Sequence, residues 1–546
     1  MPFFAEEHVQ IPTQDILSWI FDRLPYDPDK KIYIDASKPE RNITASQAKT
    51  LIRKGIAGLR AAGLKLGDTV CIHSFNDIYY PILVLSIIGC GGRFTGTNPA
   101  YTSYELKHHL GITKAKFIFS ESDILPNVQQ AATQLGISQS NIFIFNPRGE
   151  PVTSGYQSWN SLFNHGEQDW IRFDDKHTAE QTVAALFTTS GTTGLPKALT
   201  CSTKYRHTLV IEHNALPYQA AGEVRRIIPL PMFHAAVGPA VHTSALRAGQ
   251  QNYIMRRFDL EGFLSAVEKY QITDLVCVPP IVIAVIMSPL RHKYSLKSVR
   301  FAAVGAAPLD KGPQAKFREL LHPDVPFTQV LGMTETSCLL AKFDGRTFDD
   351  TGSIGQFVPD LDIKLVDGED RDITAWGVTG ELCVRGAIVV KGYFENEEGT
   401  KKSWDKDGFY HSGDMAYGDG KTKKWYIVDR KKELIKVRGF QVAPPELEGV
   451  LLDHPGISDA AVIGIVPPGV EGQGSELPRA YVVRKKGTGD KLTEEEVKAH
   501  IAQRLAKYKW LEGGVSFIDA VPRTASGKIL KRFLRDRAAR ETGSKL

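Results

Sequence analysis

The chain has 546 residues, of which 42% are hydrophobic and 24% are charged, as in an ordinary globular protein of several domains. Its 67 basic and 62 acidic residues give a net charge of only +5, and no basic tract is interleaved with aromatic residues, so a nucleic-acid partner is not expected. The six cysteines form no C-x-x-C pair, which argues against a zinc site. The longest nearly apolar run, residues 79–90, is too short to span a bilayer.

Helical patterns alternate with short apolar strands through the first 430 residues. The helical patterns cover residues 44–64, 79–89, 205–215 and 260–270, and the strand patterns cover residues 69–73, 115–119, 142–145, 226–230 and 274–278. This alternation predicts an α/β architecture with largely parallel sheets.

The pattern changes after residue 350. Short alternating strands at 363–367 and 380–386, with glycine turns, predict a small β-rich subdomain over about 350–430. Strands at 460–466 and 479–485 and a helix at 494–506 then predict a separate α+β domain. We therefore expect an N-terminal domain of α/β-layered sheets over residues 1–430, which includes the β-rich subdomain, and a C-terminal domain over residues 431–546.

A loop rich in glycine and threonine occupies residues 186–200, LFTTSGTTGLPKALT. Its spacing is not that of a Walker loop, because two residues separate Gly194 from Lys197. Glycines nevertheless let backbone N–H groups approach an anion closely, and hydroxyls and a lysine add further donors. A flexible surface loop would have the same composition, so both interpretations stay open on these residues alone. The candidate phosphate ligands are Thr189, Ser190, Gly191, Thr192, Thr193, Gly194 and Lys197.

The chain finishes with Ser544, Lys545 and Leu546. A terminal S-K-L is an address that the peroxisomal import receptor reads, and the acidic start MPFFAEEHVQ shows no secretory signal. The sequence therefore predicts a peroxisomal location and a contact with that receptor.

Six segments resemble, together with the glycine-threonine loop, the adenylate-forming superfamily of acyl-CoA synthetases, 4-coumarate–CoA ligases, luciferases and peptide-synthetase adenylation domains. They occur in the family order and are most similar to the 4-coumarate–CoA ligase-like, peroxisomal branch. The segments are 229-PLPMFHAAVG-238, 304-VGAAPL-309, 329-QVLGMTET-336, 411-HSGDMAY-417, 427-IVDRKKELIKVRGFQVAPPELE-448 and 521-VPRTASGKILKR-532.

The resemblance implies a reaction in two steps. A carboxylic acid and ATP, with Mg²⁺, give an acyl-adenylate and pyrophosphate, and coenzyme A then attacks the adenylate to give acyl-CoA and AMP. Two alternatives share the fold: an adenylating enzyme that loads a carrier protein, and a luciferase-like oxygenase.

The same resemblance assigns the nucleotide ligands. The loop would hold the β- and γ-phosphates, and Glu335 would bind Mg²⁺, which prefers carboxylate and phosphate oxygens. Thr334 would reach the α-phosphate, and Gln329 would frame the adenine. Asp414 would accept both ribose hydroxyls, with Arg430 supporting ribose or phosphate. On the residues alone, Glu335 is equally typical of a helix start, and Asp414 of a turn.

Four residues are expected to serve the acyl chemistry. Lys528 would place its ammonium group on the carboxylate and the α-phosphate, and His234 would line the acid carboxylate. Lys436 and Gln441 would bind the CoA phosphate or the adenylate. By composition alone, His234 fits a core histidine and Lys528 a solvated lysine.

The second half-reaction is expected to use another face of the C-terminal domain. Arg257, Arg438 and Gly439 would contact CoA, although Arg257 also fits an exposed arginine. Because two faces of one small domain cannot occupy one active site, the resemblance implies a mobile C-terminal domain with its hinge near Lys432.

The candidate acid pocket is apolar and has no fixed cation for a second carboxylate. Ala236 stands where phenol-selective ligases often carry a tyrosine, and Leu331 replaces the aromatic residue that usually stacks on adenine. The small-molecule substrate is therefore expected to be a carboxylic acid with an apolar aryl or medium-chain tail. The candidate lining is Ala236, Val237, Ala240, Ala306, Val330, Leu331 and Cys338.

Overall fold

A computed structural model describes most of the chain. The described residues are 1–189, 197–202, 223–309, 311–344, 347–430, 433–437, 440–466, 476–485, 492–505, 507–524 and 527–542. The predicted helix over 205–215 and the Ser544-Lys545-Leu546 terminus lie outside them.

Two seven-stranded sheets build the large domain, and within each sheet every pair of neighbouring strands is parallel except the last pair. The first sheet runs, in spatial order, Gln157–Ser158, Ile142–Ile144, Ala115–Ser120, Thr69–His73, Arg93–Thr97, Val183–Thr188 and Ala198–Ser202. The second runs Phe327–Gln329, Phe301–Val304, Asp274–Cys277, Arg225–Ile228, Gln251–Ile254, Lys31–Asp35 and Asn42–Thr44. The predicted α/β class is thus confirmed.

Helices pack on these sheets and share one hydrophobic core with both of them. The helix Ala45–Ala61 begins where predicted, because the Thr44 hydroxyl accepts from the Gln47 N–H in a capping box. None of the helices in the described ranges combines the length and apolarity that crossing a membrane requires. The helices are Ile16–Phe21, Ala45–Ala61, Tyr80–Gly89, Ser103–Thr113, Leu125–Leu135, Lys176–Gln181, Ala245–Ala248, Leu260–Lys269, Pro279–Met287 and Lys311–Arg318.

A β-rich part with its own core follows the second sheet. It holds the antiparallel strands Leu331–Met333, Cys338–Lys342 and Gln356–Phe357, and a four-stranded antiparallel sheet of Leu361–Val366, Gly380–Gly386, Tyr410–Gly418 and Trp425–Arg430. The helix Glu397–Ser403 lies between the second and third strands of that sheet in the chain.

The C-terminal part is a small α+β unit with separate cores. Its strands are Ile435–Val437, Phe440–Val442, Ile457–Ile465, Leu477–Arg484 and Val515–Phe517. Its helices are Pro444–Leu452, Glu494–Ala502 and Lys531–Thr542. The last strand of the β-rich sheet ends at Arg430, next to the predicted boundary and hinge, which remain predictions.

Candidate active site

A cavity of about 880 Å³ lies between the large domain and the C-terminal part. One wall is a face of the second sheet, the opposite wall comes from the β-rich part, and Lys528 reaches it from the C-terminal part. The cavity therefore has walls from all three regions that the sequence predicted.

The sheet wall follows from the alternation of side chains along a strand. Four adjacent parallel strands and the residues just after them contribute mostly alternate residues to the cavity wall. These lining residues are Arg226, Leu230, Val276, Val278, Phe301, Ala303, Gly305, Thr328 and Val330.

A second segment of the acid-side wall comes from the chain after Met232. His234, Ala235, Ala236 and Ala240 line the cavity there. Ala240 begins a π-helical stretch, Ala240–Ser244, a distortion that is frequent at functional sites. The alanines leave the cavity wide at this level.

Five of the seven predicted acid-pocket residues line the cavity: Ala236, Ala240, Ala306, Val330 and Cys338. Val237 instead lies in the main core, and Leu331 packs against the core of the β-rich part. Adjacent residues of a strand or turn face opposite ways, which the sequence motif alone could not resolve. The expectation of a wall without a fixed cation needs correction, because Arg226 lines the cavity.

His234 lies at the cavity with a neutral imidazole. Its Nδ1 accepts from the Ala236 backbone N–H at 3.2 Å, and burial lowers its pKa to about 4. The ring therefore carries its proton on Nε2 at neutral pH and offers one uncharged donor to the cavity.

Asp414 and Arg430 form an ion pair on neighbouring strands. Arg430 Nε lies 3.2 Å from Asp414 Oδ1, and both residues line the cavity. Burial raises the pKa of Asp414, while Arg430 and then Lys528 oppose that shift. A buried carboxylate beside two cations is suited to accept hydrogen bonds from the hydroxyls of a ribose.

Glu335 lies on a short 3₁₀ turn, Thr334–Thr336, at the tip of a β-hairpin. Burial raises the pKa of its carboxyl group, against the charges of Arg430 and Lys528 and a hydrogen bond from the Tyr410 hydroxyl. A desolvated carboxylate is a ligand that a dication stabilises, so Glu335 fits Mg²⁺. Thr334 lines the cavity next to it.

Thr189 and Lys197 close the base of the glycine-threonine loop. The Thr189 N–H donates to the Lys197 carbonyl at 2.9 Å, and the Lys197 N–H donates to the Thr189 hydroxyl at 3.1 Å. The Lys197 ammonium lies 4.6 Å from the centre of the Tyr393 ring, and all three residues line the cavity. The loop thus begins and ends at the cavity wall.

Gln329 has a supporting position. It is buried, and its Oε1 accepts from the Leu309 backbone N–H at 2.9 Å. This bond fixes the segment that carries Gly305 and Ala306 into the cavity wall. Gln329 itself is not one of the described residues that line the cavity.

Lys528 extends from a tight turn that docks on the large domain. The Lys528 N–H donates to the Thr524 hydroxyl at 3.1 Å, and the Thr524 N–H donates to the Lys528 carbonyl at 2.8 Å. Burial, and secondly Arg430, lower the pKa of Lys528 to about 8, against the charges of three carboxylates. The three carboxylates belong to Asp414, Glu433 and Glu335.

The pKa of Lys528 predicts the pH dependence of adenylation. The lysine is cationic below pH 8 and loses its charge above it, so kcat/KM for pyrophosphate release should fall as the pH rises through about 8. His234, with a pKa of about 4, is already neutral there. Stopped-flow or coupled assays between pH 6.5 and 10 measure this fall of kcat/KM at alkaline pH. Lys528→Arg should move this fall to higher pH. If the fall stays at the same pH in that variant, it arises from the titration of another group.

Gly527 holds this turn against the large domain. Its φ is +87°, and a Cβ there would lie 2.8 Å from Pro280 Cδ. Gly527→Ala should therefore push the turn away from Pro280 and lower adenylation about 10-fold or more. Gly63→Ala is the matched control, since Gly63 has a φ of +90° with nothing within 4 Å of the added Cβ. Equal activity of the two variants would contradict the docking role.

Arg257 lines a second, smaller cavity of about 370 Å³. Its guanidinium stacks 3.7 Å from the centre of the Phe75 ring. Leu230 and Val278 line both cavities, so the two lie side by side. Thr524 and Gly527 of the docked turn also line the smaller cavity. The role of Arg257 towards CoA stays a prediction.

Several predicted residues lie outside the described residues: Ser190, Gly191, Thr192, Thr193, Gly194, Lys432, Arg438 and Gly439. The side chains of Lys436 and Gln441 lie outside them as well.

Sequence reasoning missed some lining residues, among them Arg226, Ala303, Tyr393 and Tyr410. Alternation along 226–230 could have selected Arg226 as facing the same way as Leu230. No local signal marks Tyr393 or Tyr410, since tertiary structure alone brings them to Lys197 and Glu335.

The fold and this site define a nucleotide-dependent, carboxylate-activating enzyme. A family model described as AMP-binding enzyme matches residues 21–394, and a second, AMP-binding enzyme C-terminal domain, matches residues 446–528. The chain belongs to this family of AMP-binding enzymes, the adenylate-forming superfamily that the motifs indicated.

Two curated relatives are similar over nearly their whole length. The chain is 51% identical to phenylacetyl-CoA ligase epaB of Aspergillus niger, over 98% of this chain and 99% of that protein. It is 34% identical to 4-coumarate–CoA ligase 1 of Petroselinum crispum, over 98% of this chain and 95% of that protein. The chain is an AMP-forming acid–CoA ligase that uses ATP, Mg²⁺ and coenzyme A.

Solved structures share the fold at low identity. An anthranilate CoA ligase, AuaEII, in complex with anthranoyl-AMP superposes with a TM-score of 0.86 at 20% identity, covering 98% of this chain and 99% of that one. ATP-bound MatB from Rhodopseudomonas palustris superposes with a TM-score of 0.83 at 24% identity, covering 96% and 98%.

Proposed function

We propose that this ligase activates a carboxylic acid with an apolar aryl or medium-chain tail. The observation that carries the proposal is the wall of small and branched aliphatic side chains beside His234, formed by Ala236, Ala240, Ala303, Ala306 and Val330. Such a wall favours an apolar tail by burial. The identity to a phenylacetyl-CoA ligase supports an aryl acid.

In the first half-reaction, a carboxylate oxygen attacks the α-phosphorus of ATP. The new O–P bond forms as the bond to the β-phosphate oxygen breaks, and pyrophosphate leaves. Lys528 neutralises the two anions that meet, and Asp414 holds the ribose. Glu335 would hold Mg²⁺, which would supply positive charge to the phosphate oxygens.

In the second half-reaction, the thiolate of CoA attacks the acyl carbon and AMP leaves. The smaller cavity lies beside the first and is lined in part by Thr524 and Gly527 of the turn that carries Lys528. Movement of that turn would open a route for the thiol, which supports the predicted rotation of the C-terminal domain.

A panel of acids tests the proposal. Pyrophosphate release and CoA-dependent AMP release are measured with phenylacetic, cinnamic, octanoic, amino and polyhydroxylated acids. We expect the apolar acids to have the highest kcat/KM. Preference for amino or polyhydroxylated acids would overturn the proposed substrate class, and transfer to a phosphopantetheinyl carrier protein in place of CoA would favour the carrier-loading alternative.

We also propose that the enzyme works in the peroxisome, on the strength of Ser544, Lys545 and Leu546. A fluorescent protein fused in front of the intact chain should co-localise with a peroxisomal marker. Deletion of the last three residues should release it to the cytosol, and an unchanged distribution would contradict the proposal.

A further inference from the structure

The floor of the acid side of the cavity differs in chemistry from its mouth. Near the nucleotide, the sheet presents Val330, Gly305, Val278 and Leu230. Two residues earlier, the wall presents the aliphatic side chains of Ala303 and Val276 and, beside Ala303, the hydroxyl of Thr328. The floor lies a further two residues earlier on these strands. At that level Phe301 stands next to Asp274, and Asp274 stands next to Arg226 on the following strand.

The register fixes this floor. Asp274 pairs with Phe301 on one side and with Arg226 on the other, and directly paired residues of parallel strands face the same way. Of these three, Phe301 and Arg226 line the cavity. Within these four strands, which the structure describes in full, the cavity face carries this one ion pair.

The two side chains of the pair carry opposite charges. Arg226 Nε lies 3.9 Å from Asp274 Oδ1, close enough to balance charge but too long for a hydrogen bond. Asp274 Oδ2 accepts from the Thr273 hydroxyl at 2.6 Å. The Arg226 guanidinium has five N–H donors in a planar fork and can therefore serve more than one acceptor.

We infer that Arg226 selects acids that carry an uncharged hydrogen-bond acceptor at the end far from the reacting carboxyl group. An acceptor such as a carbonyl oxygen would meet the guanidinium donors at the floor, while the rest of the acid lies along the aliphatic wall. A second carboxylate is disfavoured, because the Asp274 carboxylate lies beside Arg226 and opposes another negative charge there. This inference rests on the proposed function and narrows its substrate class.

The depth of the wall agrees with this placement. Arg226 precedes Leu230, and Phe301 precedes Gly305, by four residues, or about 13 Å of strand at roughly 3.3 Å per residue. An arylacetic acid with a para substituent spans most of that depth, and the long Arg226 side chain covers the remainder.

Two acids of similar size and the same number of heavy atoms test the inference. 4-Acetylphenylacetic acid carries a carbonyl oxygen where 4-isopropylphenylacetic acid carries a methyl group. The wild-type enzyme should prefer the acetyl acid about 10-fold in kcat/KM for pyrophosphate release, because a site built to donate a hydrogen bond rejects the analogue that lacks the acceptor. Arg226→Met with Asp274→Asn removes the pair without leaving one buried charge, and the preference should fall below about 2-fold.

Arg225→Met is the matched control. Arg225 is the preceding residue of the same strand, faces the other way and pairs with Glu223 at 2.8 Å. This variant should keep the wild-type preference. If the double variant does not fold, Arg226→Lys, which retains the charge but loses the planar fork, should still lower the preference about 3-fold.

Three outcomes would overturn the inference. They are equal use of the two acids by the wild-type enzyme, a preference that persists without Arg226, and a higher kcat/KM for 4-carboxyphenylacetic acid than for the acetyl acid. If the wild-type enzyme activates neither these arylacetic acids nor octanoic acid, the proposed function itself fails, which is a distinguishable result.

Discussion

Lys528→Ala should lower the rate of acyl-adenylate formation by about 10²- to 10³-fold, because the variant loses the cation that stabilises two meeting anions in a dry site. Lys528 lines the cavity with Glu335, Asp414 and Arg430. The turn that carries it is docked on the large domain, since Gly527 lies against Pro280. The arrangement therefore fits the first half-reaction, and thioester formation from supplied acyl-adenylate should keep most of its rate.

The two half-reactions are measured separately. Pyrophosphate release reports the first, and the disappearance of synthetic phenylacetyl-adenylate with CoA reports the second. Arg532→Ala, which removes an exposed cation four residues away, should leave both rates within 2-fold of the wild type. If Lys528→Ala lowered the rates of the two half-reactions equally, the assignment of this lysine to adenylation would be wrong.

The sequence predicted the layers of the fold because they follow from local periodicity. Helical and strand patterns depend only on residues that are close in the chain. The strand at 69–73 and the helix at 260–270 could therefore be predicted without knowledge of the tertiary structure. The motifs also predicted that Asp414 and Lys528 share one site, and both line the same cavity although 114 residues separate them in the chain. Their roles there stay predictions.

Which side chains line the cavity could be learned only from the register of the four strands in the three-dimensional structure. Arg226 becomes part of the acid wall only because its strand lies beside Asp274–Cys277 and faces the same way. Ala236 and Val237 differ in direction, not in residue class, so the motif could not tell which one reaches the cavity. Tyr393 contacts Lys197 although nearly 200 residues separate them in the chain. A local sequence pattern cannot predict such a long-range contact.

Lys531→Met should destabilise the docked C-terminal part by about 3–5 kcal/mol, the usual cost of leaving buried charges without their partner. The Lys531 side chain is only 6% exposed, and its Nζ lies 3.4 Å from Glu433 Oε2 and 3.5 Å from Glu448 Oε1. Asp429 is the third carboxyl group around it, and burial raises the pKa of Asp429 to about 7 even with Lys531 present. One lysine thus holds three acidic residues from both sides of the predicted hinge.

The deficit should depend on pH with a defined sign. Without Lys531, burial holds the folded-state pKa of Asp429 still further above its unfolded value, so stability is retained while Asp429 is protonated and is lost as the pH rises through its folded-state pKa, which is about 7 with Lys531 present. Urea unfolding and limited proteolysis at pH 5.5 and pH 8 should show a larger deficit at pH 8. Lys531→Arg, which keeps the charge, should lose less than half as much, and Asp429→Asn in the Met variant should restore part of the loss. A deficit of the same size at both pH values would mean that Lys531 acts through packing of its aliphatic stem and not through charge.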